Sequence, residues 1–204
     1  MTRAIYLHGF ASGPSSKKAR YFQERLPELA IPDLTEGDFE HLTITTQLAV
    51  LEREASGQPV DLIGSSLGGY LAALYAARHP EVRRVVLLAP AFCFQSLFPQ
   101  NVGAHAMEQW KRDGKLSIFN YAKGANADLG YQLIEDSLQY EDFPAFQQPA
   151  LIFHGVHDAS VPSSYSERFA AQHPNATLRL MDSDHELISV LPQLREEALA
   201  FLQL

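Results

Sequence analysis

A chain of 204 residues can close one hydrophobic core, so a single domain over 1–204 is expected. Its 46% hydrophobic and 20% charged residues are the composition of a folded globular protein, which excludes an extended disordered or low-complexity chain. A formal net charge of −8 argues against a nucleic-acid surface, and the densest apolar stretch, "VVLLAPAFCF", is too short and too broken by Pro90 to insert into a membrane.

The chain opens with "MTRAIYLHGF", which runs from Met1 into a strand over 4–8 with no apolar leader core or small-residue cleavage site. A cytoplasmic location is the expectation that follows. The next loop, "GFASGPSSKK", departs from the phosphate-binding pattern G-x-x-x-x-G-K-[ST] because Pro14 follows Gly13. Ser15 or Ser16 is suited to cap a helix over 16–28. Lys17, Lys18 and Arg20 read as a solvated basic face, or as a lure for an anionic group such as a coenzyme A phosphate.

A strand over 29–34 contains Pro32, which removes a ladder donor and assigns it to a sheet edge. A helix over 43–56, a strand over 60–64, a helix over 67–79 and a strand over 84–89 follow. Cys93, the single cysteine, has no partner for an internal disulfide and reads as a small buried hydrophobe. Residues 91–147 are too long for one crossover and hold ten aromatic residues, which fits a cap or lid insertion with its own core, two or three rings facing a ligand, and a helix over 131–139. Strands over 149–154 and 177–181 and helices over 163–172 and 187–202 close the pattern; the last helix spaces Ile188, Leu191, Leu194, Ala198 and Phe201 along one face.

Alternation of short apolar runs with helices predicts a three-layer α/β/α fold around a mostly parallel six-stranded sheet. If the second strand goes outside the first, the order is 2-1-3-4-5-6, and crossovers leave strands one and three to opposite faces. That opens a crevice at their C-terminal ends, where open parallel sheets bind ligands.

At that edge lies "LIGSSLGGYLAALYA", residues 62–76. A strand that becomes a helix with no spacer must bend sharply, and residues two either side of the apex must lack side chains. Ser65 and Ser66 are both present, but only Ser66 has glycine at minus two and plus two, Gly64 and Gly68. Ser66 is thus the candidate nucleophile. A serine hydroxyl needs a base, and His185 in "MDSDHELISVL" leaves the last strand at the same edge.

Asp158 in "LIFHGVHDASVP" leaves the strand before it and supplies the orienting acid, giving the order Ser66, Asp158, His185. Asp182 and Asp184 are its rivals by proximity to His185. His154, His157 and Asp158 cluster in sequence, yet their spacing differs from the usual zinc helix motif and no further ligand group supports a metal site. For an oxyanion hole, the backbone N–H of Leu67 follows the nucleophile, and the turn His8-Gly9-Phe10 at the end of strand one offers the N–H of Phe10.

With "YLHGF", "GSSLGGY", "HGVHDASVP" and "DHEL" in this order, the chain resembles the α/β-hydrolase superfamily along its length, and among its members the small bacterial esterases of the YqiA type. The shared opening runs from Tyr6 to Ala19 and the shared elbow from Gly64 to Tyr70. The resemblance implies hydrolysis of a small-molecule ester without a cofactor, with Ser66, Asp158 and His185 as the triad. The chain departs from the superfamily in one respect: it opens at what would be the third strand, so a sheet without the first two antiparallel strands is expected. Acyl-CoA thioester hydrolysis is the alternative within enzymes, and a non-catalytic binding protein on the same fold is the alternative outside them.

Overall fold

The computed structural model describes residues 3–204; Met1 and Thr2, from which the chain was expected to run into its first strand, lie outside the described residues. Five parallel strands form the main sheet: β1 (Arg3–Leu7), β2 (Val60–Ser65), β3 (Val82–Leu88), β6 (Ala150–Gly155) and β7 (Ala176–Met181), in the order β1-β2-β3-β6-β7. The sixth strand expected over 29–34 shrinks to one parallel bridge between Ile5 and Ala30, on the outer side of β1. Pro32 cannot donate to a ladder, and pairing stops before it.

Alternation along each strand sends side chains to two separate cores. Ile5, Leu7, Leu62, Val85, Leu87 and Ile152 pack on one face with α2 (Ile44–Ala55), α3 (Leu67–Ala76) and α7 (Ser163–Gln172). Tyr6, Ile63, Val86, Leu88, Leu151 and Phe153 pack on the other with α1 (Lys17–Gln23) and α8 (Leu191–Leu202). Every residue of α3 is buried, so its "LGGYLAALYA" lacks a polar face because it has no solvent side. Helix α1 ends well before residue 28, and Ser16 stands at its N-cap without a side-chain cap hydrogen bond.

The long connection between β3 and β6 builds α4 (Phe94–Val102), α5 (Ala104–Asp113), an antiparallel hairpin of β4 (Lys115–Asn120) and β5 (Ala125–Gly130), and α6 (Gln132–Ser137). The sequence does not predict the hairpin: "KLSIFN" and "ANADLG" form no apolar run, although Leu116, Ile118 and Ala127 pack against the core and Leu129 is fully buried. Trp110 of α5 is fully buried and donates its indole N–H to the Leu129 carbonyl at 2.8 Å, tying helix to hairpin. The Tyr121 N–H donates to the Ala11 carbonyl at 2.8 Å, which brings the hairpin tip over the loop that follows β1. Among the described residues no helix is long and apolar enough to cross a membrane.

Candidate active site

The bend at Ser66 is set by two close approaches. A Cβ added at Gly64 would lie 2.3 Å from the Gly68 carbonyl oxygen, and one at Gly68 would lie 2.2 Å from the Leu7 carbonyl oxygen. Neither position admits a side chain while β2 turns directly into α3 against β1. Ser66 takes φ 53° and ψ −118°, a conformation that costs an L-residue about 1–3 kcal/mol and persists because its surroundings over-determine it. Its N–H donates to Leu88 at 2.8 Å, and its carbonyl accepts from Gly69 at 2.9 Å, Tyr70 at 3.1 Å and Ala91 at 3.0 Å.

The strained backbone holds the Ser66 hydroxyl 2.9 Å from His185 Nε2, and His185 Nδ1 lies 2.6 Å from Asp158 Oδ2. Three residues separated by up to 119 positions thus form one hydrogen-bonded chain. The rivals for the acid go elsewhere: Asp182 meets His157 at 2.9 Å on the surface, and Asp184 accepts from the Glu186 N–H. Cys93 is buried, and burial pushes its thiol up to about 11, which leaves it a packing residue.

Asp158 has no exposed side-chain surface. Its Oδ1 accepts from the Ser160 and Val161 amides, both at 2.8 Å, and its Oδ2 accepts from His185 and from His154 Nε2, the latter at 3.1 Å. Burial by itself would raise the carboxyl pKa. The hydrogen bonds from His154, His185 and Val161, with the charge of His185, outweigh it and hold Asp158 far below the usual carboxylate range. It therefore stays ionised at neutral pH.

His154 was weighed in the sequence only as a metal ligand, and the structure gives it another position. Its Nε2 faces two acceptors, Asp158 Oδ2 and the Val161 carbonyl at 2.9 Å, so that nitrogen carries the hydrogen, while Nδ1 meets the Ser166 hydroxyl at 2.7 Å. The sequence signal was available: a polar residue at the inward end of an otherwise apolar strand, four before the acid. Among the described residues no group of three or more His, Cys, Asp or Glu side chains is arranged to hold a metal ion. Replacing His154 with phenylalanine should lower kcat for an ester about tenfold while KM changes little, because Asp158 loses one of its anchors. Steady-state kinetics of His154→Phe beside the parent protein checks this.

The loop after β1 is fixed by His8, which is buried. The Leu34 N–H donates to His8 Nε2 at 3.2 Å, so Nδ1 carries the hydrogen and donates to the Gly9 carbonyl at 3.0 Å. Burial lowers the His8 pKa and keeps this ring neutral. The Gly9 carbonyl also accepts from Ser12 at 3.3 Å. In a trans peptide the N–H points opposite to the C=O, so anchoring the Gly9 carbonyl aims the Phe10 N–H the other way. Leu67, as the first residue of α3, has an N–H without an intrahelical acceptor.

Gly9, Phe10, Ser66, Leu67 and His185 all line one cavity of about 650 Å³. Phe94, Phe98 and Tyr121 of the 91–147 segment line it too, while Phe92, Trp110 and Phe146 are buried in the core. Of the three basic residues in the sequence cluster, Lys17 and Lys18 reach the cavity wall, whereas Arg20 is exposed.

The fold recurs in solved structures of low sequence identity. Alpha/beta hydrolase domain-containing protein 10 from mouse superposes with a TM-score of 0.79 at 20% identity, over 98% of this chain and 89% of that one. Est1E from Butyrivibrio proteoclasticus, in a structure with ferulic acid bound, gives 0.75 at 19% identity, over 100% and 90%. The monoacylglycerol lipase of Paleococcus ferrophilus gives 0.69 at 16% identity, over 96% of each. These likenesses show the α/β-hydrolase fold. In sequence, 56 residues are 41% identical to the chloroplastic pheophytinase of Arabidopsis thaliana; they are 28% of this chain and span only 12% of that curated relative. The family model described as "Uncharacterised protein family (UPF0227)" matches residues 3–203.

Proposed function

Because the chain belongs to the UPF0227 family and has the α/β-hydrolase fold, we propose that it is a serine hydrolase of carboxylic esters, working through an acyl-enzyme. The observation that carries this reading is the unbroken hydrogen-bonded chain from Ser66 through His185 to Asp158, opening onto a cavity also lined by Phe10 and Leu67. Ser66 Oγ attacks the ester carbonyl carbon as His185 Nε2 takes its proton. The carbonyl oxygen becomes an anion, which the Phe10 and Leu67 N–H groups receive. Collapse breaks the acyl–oxygen bond, and His185 returns the proton to the departing alkoxide. A water then repeats the sequence on the acyl-enzyme, releasing the acid and restoring the Ser66 hydroxyl.

Asp158 stabilises the imidazolium and keeps the hydrogen on His185 Nδ1, so that Nε2 faces the serine as an acceptor. Phe10, Phe94, Leu97 and Phe98 make part of the cavity apolar and suit the acyl portion. The 91–147 segment acts as the cap in this reading. Nitrophenyl esters of increasing acyl length, run beside acyl-CoA thioesters, test it. Short and medium nitrophenyl esters should turn over, with kcat/KM declining once the acyl chain outgrows the cavity. Acyl-CoA turnover exceeding that of the esters and falling with added salt would favour the thioesterase reading, since screening weakens only the charged ligand. A folded protein that hydrolyses neither class would favour a binding role.

A further inference from the structure

One part of the cavity wall is unlike the rest. Lys18 and Tyr6 both line it, yet Lys18 is only 8% exposed and Tyr6 is fully buried. Lys18 Nζ donates to the Glu186 carbonyl at 3.0 Å, and the Glu186 carboxylate, itself largely exposed, is 3.6 Å away. An ammonium has three hydrogens to place, and these contacts leave donor capacity unused. The Tyr6 hydroxyl lies beside Ser65 and makes no hydrogen bond of normal geometry. Burial raises its pKa, so it remains a neutral phenol and a donor. A buried phenol that makes no well-formed hydrogen bond and an under-used buried ammonium in one wall is an arrangement that costs stability unless something occupies it.

The proposed reaction indicates which part of a substrate would come here. His185 delivers its proton to the leaving oxygen, so the leaving group lies on the imidazole's side. Glu186, which holds Lys18, is the next residue in the chain, and Ile188, two residues further on, lines the cavity with it. The apolar side chains Phe94, Leu97 and Phe98 come from α4 instead. Building on the ester-hydrolase reading, we propose that Lys18 and Tyr6 form a recognition site for a carboxylate on the alcohol portion of the substrate, close to the scissile bond. The ester cleaved is an O-acylated hydroxy acid, and its products are a carboxylic acid and a hydroxy acid.

One ammonium, already offset in part by Glu186, suits a monoanion. Burial lowers the Lys18 pKa while Glu186, Asp184 and Asp158 raise it, which marks the ammonium as a group with little water around it. A distant anion, such as the phosphates at the far end of coenzyme A, would gain nothing from a buried cation that is hydrogen-bonded to the residue following His185.

Butyryloxyacetate and its neutral counterpart butyryloxyacetamide differ only in that charge, and their kcat/KM ratio is the test. The parent protein should prefer the carboxylate about tenfold or more. Lys18→Met should bring the ratio down toward one, mainly through KM for the carboxylate, and Tyr6→Phe should lower it in the same direction by less. If Lys18 only braced the turn carrying His185, the substitution would depress both substrates together and leave the ratio unchanged, which overturns the proposal. A parent ratio at or below one, with the neutral ester hydrolysed well, also overturns it and leaves the esterase reading intact. Loss of both activities in the parent protein would instead remove the esterase reading and this inference with it.

Discussion

Ser66→Ala is expected to abolish nearly all turnover, lowering kcat for a nitrophenyl ester by about a million-fold, as when other triads lose their nucleophile. The size follows from what the hydroxyl supplies. Without it no acyl-enzyme forms, and what remains is the modest help of the oxyanion donors and binding. The fold should be indifferent to the change. Alanine occupies the same φ 53° conformation at similar cost, and the backbone hydrogen bonds to Leu88, Gly69, Tyr70 and Ala91 are untouched. The Oγ atom itself makes one hydrogen bond, to His185. Steady-state kinetics together with a thermal melt separates the two effects: activity gone, melting temperature within a few degrees. Substantial residual activity at the same site would mean that Ser66 is not the attacking group.

Asp158→Asn should cost about ten-thousand-fold in kcat, less than loss of the serine and far more than loss of binding alone. The reason lies in a full set of acceptors. Oδ1 receives two backbone amides and Oδ2 receives two imidazole nitrogens. Asparagine can place its oxygen on only one side. If the oxygen stays with the Ser160 and Val161 amides, the new NH₂ faces His185 Nδ1, which must then accept. The hydrogen moves to Nε2, and the imidazole presents a donor to a serine that needs an acceptor. KM should change little, because the side chain lies behind the histidine. The altered tautomer gives a second readout, the imidazole ¹⁵N chemical shifts, which a merely loosened fold would not move in that pattern. Because Asp158 is held ionised to very low pH in the folded state, it also contributes stability above its unfolded pKa, lost as pH falls through the folded value. Asparagine removes that contribution at neutral pH.

The parts of this molecule that could be read from sequence were those where sterics leave few choices. Gly64 and Gly68 mark the bend because any Cβ there would collide with backbone at little more than 2 Å. A parallel sheet places the ends of β2, β6 and β7 at one edge, so the sequence alone suffices to bring Ser66, Asp158 and His185 together. What stayed hidden depended on contacts between distant segments. Nothing local says that His154 reaches the second face of the Asp158 carboxylate, or that Lys18 is buried when its neighbours Lys17 and Arg20 are exposed. The β4–β5 hairpin packs Leu116, Ile118 and Leu129 on the core and is tied to Trp110 and to the loop at Ala11, contacts that no continuous apolar run announces. The edge strand failed differently: Pro32 marks the segment as a sheet edge, and pairing there reaches only Ala30.

In the proposed mechanism one hydroxyl is far more reactive than every other serine in the chain, because the His185 imidazole stands 2.9 Å behind it. A fluorophosphonate reagent followed by peptide mass spectrometry reads this directly. One phosphonyl group per chain, on Ser66, formed rapidly by the parent protein and not by His185→Ala, is the predicted outcome. A folded protein that takes up no label, or is labelled on another residue while Ser66 stays free, would contradict it.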